Sequence, residues 1–238
     1  MDTPAATRLH TVLNRIRLAE ARFHRPAGSV KLLAVSKTCP TSAIRAMVEA
    51  GQQCFGENYV QEVSQKIASP ELATLNLEWH FIGPLQANKT RSIAKNVTWV
   101  HSVDRLKIAE RLNAQRPEAQ PPLNICLQVN IDQEDTKSGF NEHEIPEIAQ
   151  AITTLPRLRL RGLMGIPAPA TDFEAQRRPF ARLRILLEQL NATGLALDTL
   201  SMGMSNDLEA AIAEGTTLVR IGTALFGTRA STTRLQYP

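Results

Sequence analysis

A lysine, an arginine and two short polar turns carry most of the chemistry that can be read from this chain. Lys37 follows the apolar run Leu32-Leu33-Ala34-Val35-Ser36, and strand alternation puts it on one face with Leu33 and Val35. Burial at the end of such a strand lowers a lysine's pKa, and a neutral amine attacks an aldehyde to form a Schiff base. A solvated lysine at a strand end reads equally from these residues. Arg220 stands in the run Thr-Leu-Val-Arg-Ile-Gly, where Leu218, Arg220 and Gly222 share one face and Val219 and Ile221 the other. An arginine turned inward needs an acceptor. Gly222 and Thr223 come next, a turn whose backbone N–H groups can hold a phosphate, or an ordinary glycine turn. Upstream, Ser201-Met-Gly-Met-Ser205-Asn206-Asp207 offers two hydroxyls around Gly203, which permits close approach of a ligand. Helix capping alone also accounts for Ser205 or Asn206. Together the two turns are expected to make one anion site.

Other polar residues are less specific. In Leu123–Asn130 the residues Asn124, Cys126, Gln128 and Asn130 share a face, which implies a hydrogen-bonded lining and not a dry core. His80 and His101 fall on strands and read first as satisfied core histidines. Asn58, in Phe-Gly-Glu-Asn-Tyr at 55–59, can stand over a strand end, while Glu57 can cap the helix that follows. Lys89 and Lys137 are candidates for a second anion site or solvated surface lysines. Cys39, Cys54 and Cys126 are far apart with no CxxC, which argues against a disulfide framework or a zinc site and for a reducing compartment.

The elements that must position these groups alternate along the chain. Apolar runs at 30–36, 53–55, 79–82, 98–101, 123–130, 158–163, 199–200 and 217–221 read as strands. Helical patterns at 41–50, 59–67, 86–95, 104–114, 141–152, 173–190 and 206–213 lie between them. Strands alternating with helices point to a parallel sheet, and eight such units fit a closed (β/α)8 TIM-like barrel. No GxGxxG follows the first strand, which weakens a doubly wound dinucleotide fold. Leu9, Val12, Leu13, Ile16, Ala19 and Phe23 recur at helical spacing, so residues 5–23 read as an extra N-terminal helix despite the transit-peptide-like arginines. No composition shift divides residues 1–238, and a single domain is expected.

Composition excludes several classes. The 238 residues are 43% hydrophobic and 21% charged, which suits a globular fold and not disorder or coiled coil. No apolar run approaches a membrane span. Lys and Arg outnumber Asp and Glu by 27 to 23, a net charge of +4, and only 5% of residues are aromatic. Arg157, Arg159 and Arg161 alternate with leucines along one strand face. Nucleic-acid binding is therefore unsupported, and a mildly basic balance suits a small anion. An aldehyde trap, an inward arginine and a two-turn phosphate site converge on pyridoxal 5′-phosphate (PLP), which combines an aldehyde, a pyridine and a phosphate.

Six segments in order carry a resemblance over nearly the whole chain: LLAVSKTCP at 32–40, FGENYVQE at 55–62, WHFIGPLQANK at 79–89, NIDQEDTKSGF at 130–140, RGLMGIPAP at 161–169 and LSMGMSNDLEAAIAEGTTLVRIGTALFG at 200–227. On these the sequence closely resembles the pyridoxal phosphate homeostasis protein family, whose fold is similar to the barrel of alanine racemase. The resemblance implies that Lys37 holds PLP as a Schiff base, and that Ser205, Gly222 and Thr223 bind its phosphate with Ser201 as helper. It implies that Arg220 faces the pyridine nitrogen and that Asn58 and His80 lie beside the cofactor. Cys39 stands where the family often has lysine. An arginine beside the ring nitrogen disfavours its protonation. The only tyrosines are Tyr59 and Tyr237, neither placed like a racemase's second acid/base, and the chain ends at Pro238 without the racemase's second domain. The expectation is thus a cytoplasmic, monomeric, non-enzymatic PLP carrier serving PLP-dependent apoenzymes. The alternatives are a one-base amino-acid racemase and a barrel that binds a phosphorylated metabolite without PLP.

Overall fold

In the computed structural model, residues 3–132 and 138–227 are described. The strands are β1 (Lys31–Val35), β2 (Cys54–Glu57), β3 (Glu78–Phe81), β4 (Trp99–Val103), β5 (Leu123–Val129), β6 (Leu158–Gly165), β7 (Thr199–Ser201) and β8 (Leu218–Ile221). They pair in parallel in sequence order, and β8 returns to β1 to close the barrel. The helices are α1 (Pro4–Arg22), α2 (Thr41–Glu49), α3 (Val60–Ala68), α4 (Thr90–Asn96), α5 (Leu106–Gln115), α6 (Ile145–Thr153), α7 (Phe173–Ala192), α8 (Leu208–Ala213) and α9 (Thr223–Phe226). The expected (β/α)8 architecture with an N-terminal helix is what is observed.

Strand alternation divides the side chains into two sets. Leu32, Ala34, Ile125, Leu127, Val219 and Ile221 pack outward against the helices in the main core. Cys126 and Met164 form a separate small cluster with Trp99. The expected polar face of β5 is thus partly apolar, and Cys126 is fully buried, its thiol pushed up to about 12 by desolvation. The arginine stripe is also interrupted. Ile125 pairs with Leu160 but Cys126 with Gly162, so Arg161 is an extra residue at a bulge and turns toward Asp198. At Gly162 a Cβ would lie 1.8 Å from the Thr199 carbonyl oxygen, so β6 and β7 can meet only at a glycine.

Helix α1 forms because Leu9, Val12, Ile16 and Ala19 make one apolar stripe, with Pro4 in its first turn and the Thr3 hydroxyl accepting from the Ala6 N–H at 3.2 Å. It packs against α8 and α9, the helices that follow β7 and β8. Its Arg15 donates to Glu209 and, at 2.7 Å, to the Ser205 carbonyl, and Arg8 donates to the Leu225 carbonyl. The extra helix therefore braces both turns of the expected anion site. At the opposite end of the barrel the buried Glu20 accepts the N–H groups of Gly28 (3.0 Å) and Val30 (2.8 Å), fixing the entry into β1.

Candidate cofactor site

The carboxyl ends of the strands surround a cavity of about 720 Å3. Lys37, Asn58, Ser205, Arg220, Gly222 and Thr223 all line it. Ser201 and His80 do not: Ser201 lies buried beneath Arg220, and His80 lines a second cavity at the other end of the barrel. Lys89 precedes α4 and is absent from both linings, and Lys137 lies outside the described residues.

Lys37 does not end β1 but sits in the turn after it, half-buried. That turn is strained, because Thr38, a β-branched residue, has φ 61°. Such a backbone costs about 1–3 kcal/mol and persists only when its surroundings dictate it. They do so here through charges packed behind the turn, Glu57 and Lys66 buried and Glu62 half-buried. The Thr38 N–H donates to Glu62 at 2.7 Å, and the Ser36 hydroxyl donates to Glu57 at 2.6 Å. Lys66 joins both carboxylates, at 2.7 Å from Glu57 and 3.0 Å from Glu62, and donates to the Ser36 carbonyl at 2.9 Å. Glu57 is thus no helix cap. Burial pushes its carboxyl up, and Lys66 opposes that shift. These contacts could not be read from sequence, because Glu57 and Lys66 look like ordinary surface residues until β2 and α3 are packed.

Asn58 follows β2. Its side-chain oxygen is buried and has no hydrogen-bond partner among the described residues. Gly83 holds that segment down, since a Cβ there would lie 2.0 Å from the Asn58 carbonyl oxygen. Between β7 and α8, Asp207 accepts the Met204 N–H at 2.6 Å and shapes the turn that carries Ser205. Gly203 has φ 94° and supports close packing against Ala211. The segment after β6 closes the rim with Ile166, Pro167, Pro169, Ala170 and Thr171. Gln176 pins it by donating to the Ala170 carbonyl at 2.7 Å. The sequence reading gave these rim residues no role, although their place after a strand was a usable signal.

Arg220 is the most constrained group in the site. It is buried in the barrel and donates to the Ser201 carbonyl, to the Ser201 hydroxyl oxygen at 2.8 Å and to the Gly165 carbonyl at 2.9 Å. Desolvation brings its pKa down to about 10, which leaves it charged near neutrality. From Ser201 a chain of hydrogen bonds crosses the barrel: Ser201 Oγ to His101 Nδ1 at 2.7 Å, His101 Nε2 to His80 Nδ1 at 2.8 Å, and His80 Nε2 to Glu78 at 2.8 Å. Burial pushes both histidines down toward the neutral form, and the His80 hydrogen bond holds the Glu78 carboxyl below its ordinary range. Arg220 only donates and ionised Glu78 only accepts. With neutral imidazoles, one proton arrangement satisfies every member: Ser201 donates to His101, His101 to His80 and His80 to Glu78.

The donor set suits PLP. An amine for its aldehyde, a buried cation for its ring and hydroxyl-bearing turns for its phosphate meet in one cavity, and the unpartnered Asn58 oxygen can accept from a ligand hydroxyl. When bound, PLP would supply a reactive carbonyl and an electron-withdrawing ring.

A parallel barrel with a lysine after its first strand and an arginine in its last defines a racemase-type cofactor barrel. The sequence profile of the alanine racemase N-terminal domain family matches residues 8–230. The pyridoxal phosphate homeostasis protein of Pseudomonas aeruginosa is 58% identical over 94% of this chain and 95% of its own length. That of Escherichia coli K12 is 51% identical over 94% and 96%. Among solved structures, PipY of Synechococcus elongatus with PLP bound is 40% identical, with a TM-score of 0.77, covering 89% of this chain and 98% of its own. The chain belongs to the pyridoxal phosphate homeostasis protein family.

Proposed function

We propose that this chain binds PLP in the carboxyl-end cavity, holds it as a Schiff base on Lys37, and serves intracellular PLP homeostasis as a carrier and not a catalyst. One observation carries the reading: Lys37 and the buried Arg220 line the same cavity as the turns bearing Ser205, Gly222 and Thr223. Ser205 and the backbone at Gly222 and Thr223 hold the phosphate, and Arg220 faces the ring nitrogen. Ser201 acts one step back, by giving Arg220 an acceptor. His80 acts further back still, through His101 and not by touching the cofactor. The names of the relatives and the PLP-bound PipY structure support this reading.

The carrier role rests on what surrounds Lys37. Among the described lining residues the other titratable groups are Asp207 and Arg220, and Asp207 is engaged with the Met204 N–H. Tyr59 is exposed and outside the lining. Amino-acid racemisation needs a proton acceptor on one face of the substrate and a donor on the other, and no tyrosine, histidine or cysteine is among the described lining residues to share that work with Lys37. Ile166 and Met204 are exposed apolar residues on the cavity rim, which suits hand-over of PLP from a monomer to apoenzymes. Cys39, Cys54 and Cys126 are unbridged, as suits the cytoplasm. No helix among the described residues is long and apolar enough to cross a membrane.

The test is to add PLP, reduce with borohydride and locate the adduct by mass spectrometry, with a panel of L-amino acids assayed in parallel. A single adduct on Lys37 without turnover is expected. An adduct on another lysine would overturn the site, and sustained turnover lost in Lys37→Ala would establish the one-base racemase instead.

A further inference from the structure

The second cavity, about 280 Å3, opens at the amino ends of the strands, where Lys31, Cys54, Glu78, Trp99, Thr199 and Leu218 are the first residues of their strands or close to them. In the β2–β3 ladder Cys54 pairs with Glu78 and Gly56 with His80. Cys54 and Glu78 are therefore neighbours at the mouth, and His80 stands one step deeper on the same face. One ligand atom from each, the Cys54 sulfur, a Glu78 carboxylate oxygen and a His80 ring nitrogen, can be chosen so that all lie within 4.8 Å of one another. The PLP reading uses His80 only at a distance, through His101, and gives Cys54 and the cavity-facing side of the cluster no role.

We propose that Cys54, Glu78 and His80 form a binding site for a divalent metal ion, zinc by its chemistry, with three protein ligands and a fourth position facing the cavity. Sulfur and imidazole beside one carboxylate select a borderline-soft cation over magnesium or calcium, which prefer all-oxygen sites. Three ligands and an open position is a familiar zinc arrangement. The balance is simple: sulfur, nitrogen and oxygen each give an electron pair to the ion, and the thiol proton leaves to solvent. The resulting thiolate and the Glu78 carboxylate offset the ion's two positive charges.

The surroundings already suit ligation. A metal-bound histidine needs a partner for its other ring nitrogen, and His80 Nδ1 faces His101 Nε2 at 2.8 Å. With Nε2 on the ion, His80 carries its proton on Nδ1 and donates to His101, which in turn carries its own proton toward Ser201. Each imidazole keeps one proton, and the contacts survive with their direction reversed. Trp99 stacks on the His80 ring at 5.4 Å and 5°, which sets the plane of the imidazole. Two cations border the cavity. Arg161 is engaged by Asp198 and lies over the Trp99 ring, and Lys31 is exposed, so its ammonium can extend into solvent.

The test is calorimetric titration of the chelator-stripped full chain with zinc chloride, then cobalt substitution read by visible absorbance. One zinc per chain is expected, with cobalt giving a thiolate charge-transfer band. Cys54→Ser and Glu78→Gln lie at the mouth, outside the sealed core, and spare the fold more than a change at His80. Each should weaken zinc by at least about tenfold, since even outer-shell partners of a metal ligand are worth that much. Cys54→Ser should also abolish the cobalt band and leave borohydride trapping at Lys37 unchanged. No uptake by the parent, or uptake by both variants with the parent's affinity, would overturn the site whatever the fate of the PLP adduct.

Discussion

The carboxyl-end mouth of the barrel is made of turns, whereas the amino-end mouth is made of strand ends. Lys37, Asn58, Ser205 and Gly222 all lie just beyond strands, and their positions depend on side chains brought from elsewhere. The Lys37 turn is held by Ser36, Glu57, Glu62 and Lys66, and the Ser205 turn by Asp207 within and Arg15 from α1. Cys54, Glu78 and His80 need no such bracing, because ladder register alone sets their spacing. Turn-borne groups can reach a ligand of the size of PLP but require a second layer to hold strained backbone. Strand-borne groups are already precise and suit a ligand as small as an ion. The chain from Arg220 through Ser201 and His101 to His80 and Glu78 joins the two mouths.

The sharpest way to break this comparison is Lys37→Ala, which should abolish the borohydride-trapped adduct and leave thermal stability close to the parent. Retention of the adduct would mean that the carboxyl-end mouth is not the cofactor site. Next in size is Lys66→Met, which leaves the fully buried Glu57 without its counter-charge. A loss of about 3–5 kcal/mol in urea unfolding is expected, whereas Lys31→Ala, at the exposed amino-end rim, should stay within about 0.5 kcal/mol. Equal effects would show that the Lys37 turn needs no buried support. Gly203→Ala should cost about 1–3 kcal/mol and weaken PLP binding, because φ is 94° and the new Cβ would lie 2.5 Å from that of Ala211. Arg15→Ala should cost less stability than Gly203→Ala. The ion pair of Arg15 with Glu209 is partly exposed and worth no more than about 1 kcal/mol, yet PLP should dissociate faster because the Ser205 carbonyl loses its brace. Arg45→Ala, which removes an exposed pair within α2, serves as the control that changes neither.

Much of the carboxyl-end site was legible from local pattern. Period-two alternation around Arg220 put it inside the barrel, and the glycine and hydroxyl residues near it marked the two turns. His80 shows where that kind of reading stops. Its strand follows from the apolar pattern, but which end of the barrel it serves depends on how deep it stands in the strand, and the family resemblance implied a place beside the cofactor. Cys54 is a second case. The three scattered cysteines argue against a zinc site along the sequence, and only the register of β2 and β3 shows that Cys54 stands beside Glu78 and His80.

The sequence by itself determined the number and order of βα units and singled out Lys37, Arg220 and the two polar turns that the structure brings to one cavity, because all of these follow from spacing along a single segment. Only the tertiary structure decided which charges stand behind Lys37, how α1 grips the two turns, and how five polar side chains line up through the barrel. Those are contacts between segments far apart in the chain, and their geometry is fixed by strand register and closure, which no local pattern encodes.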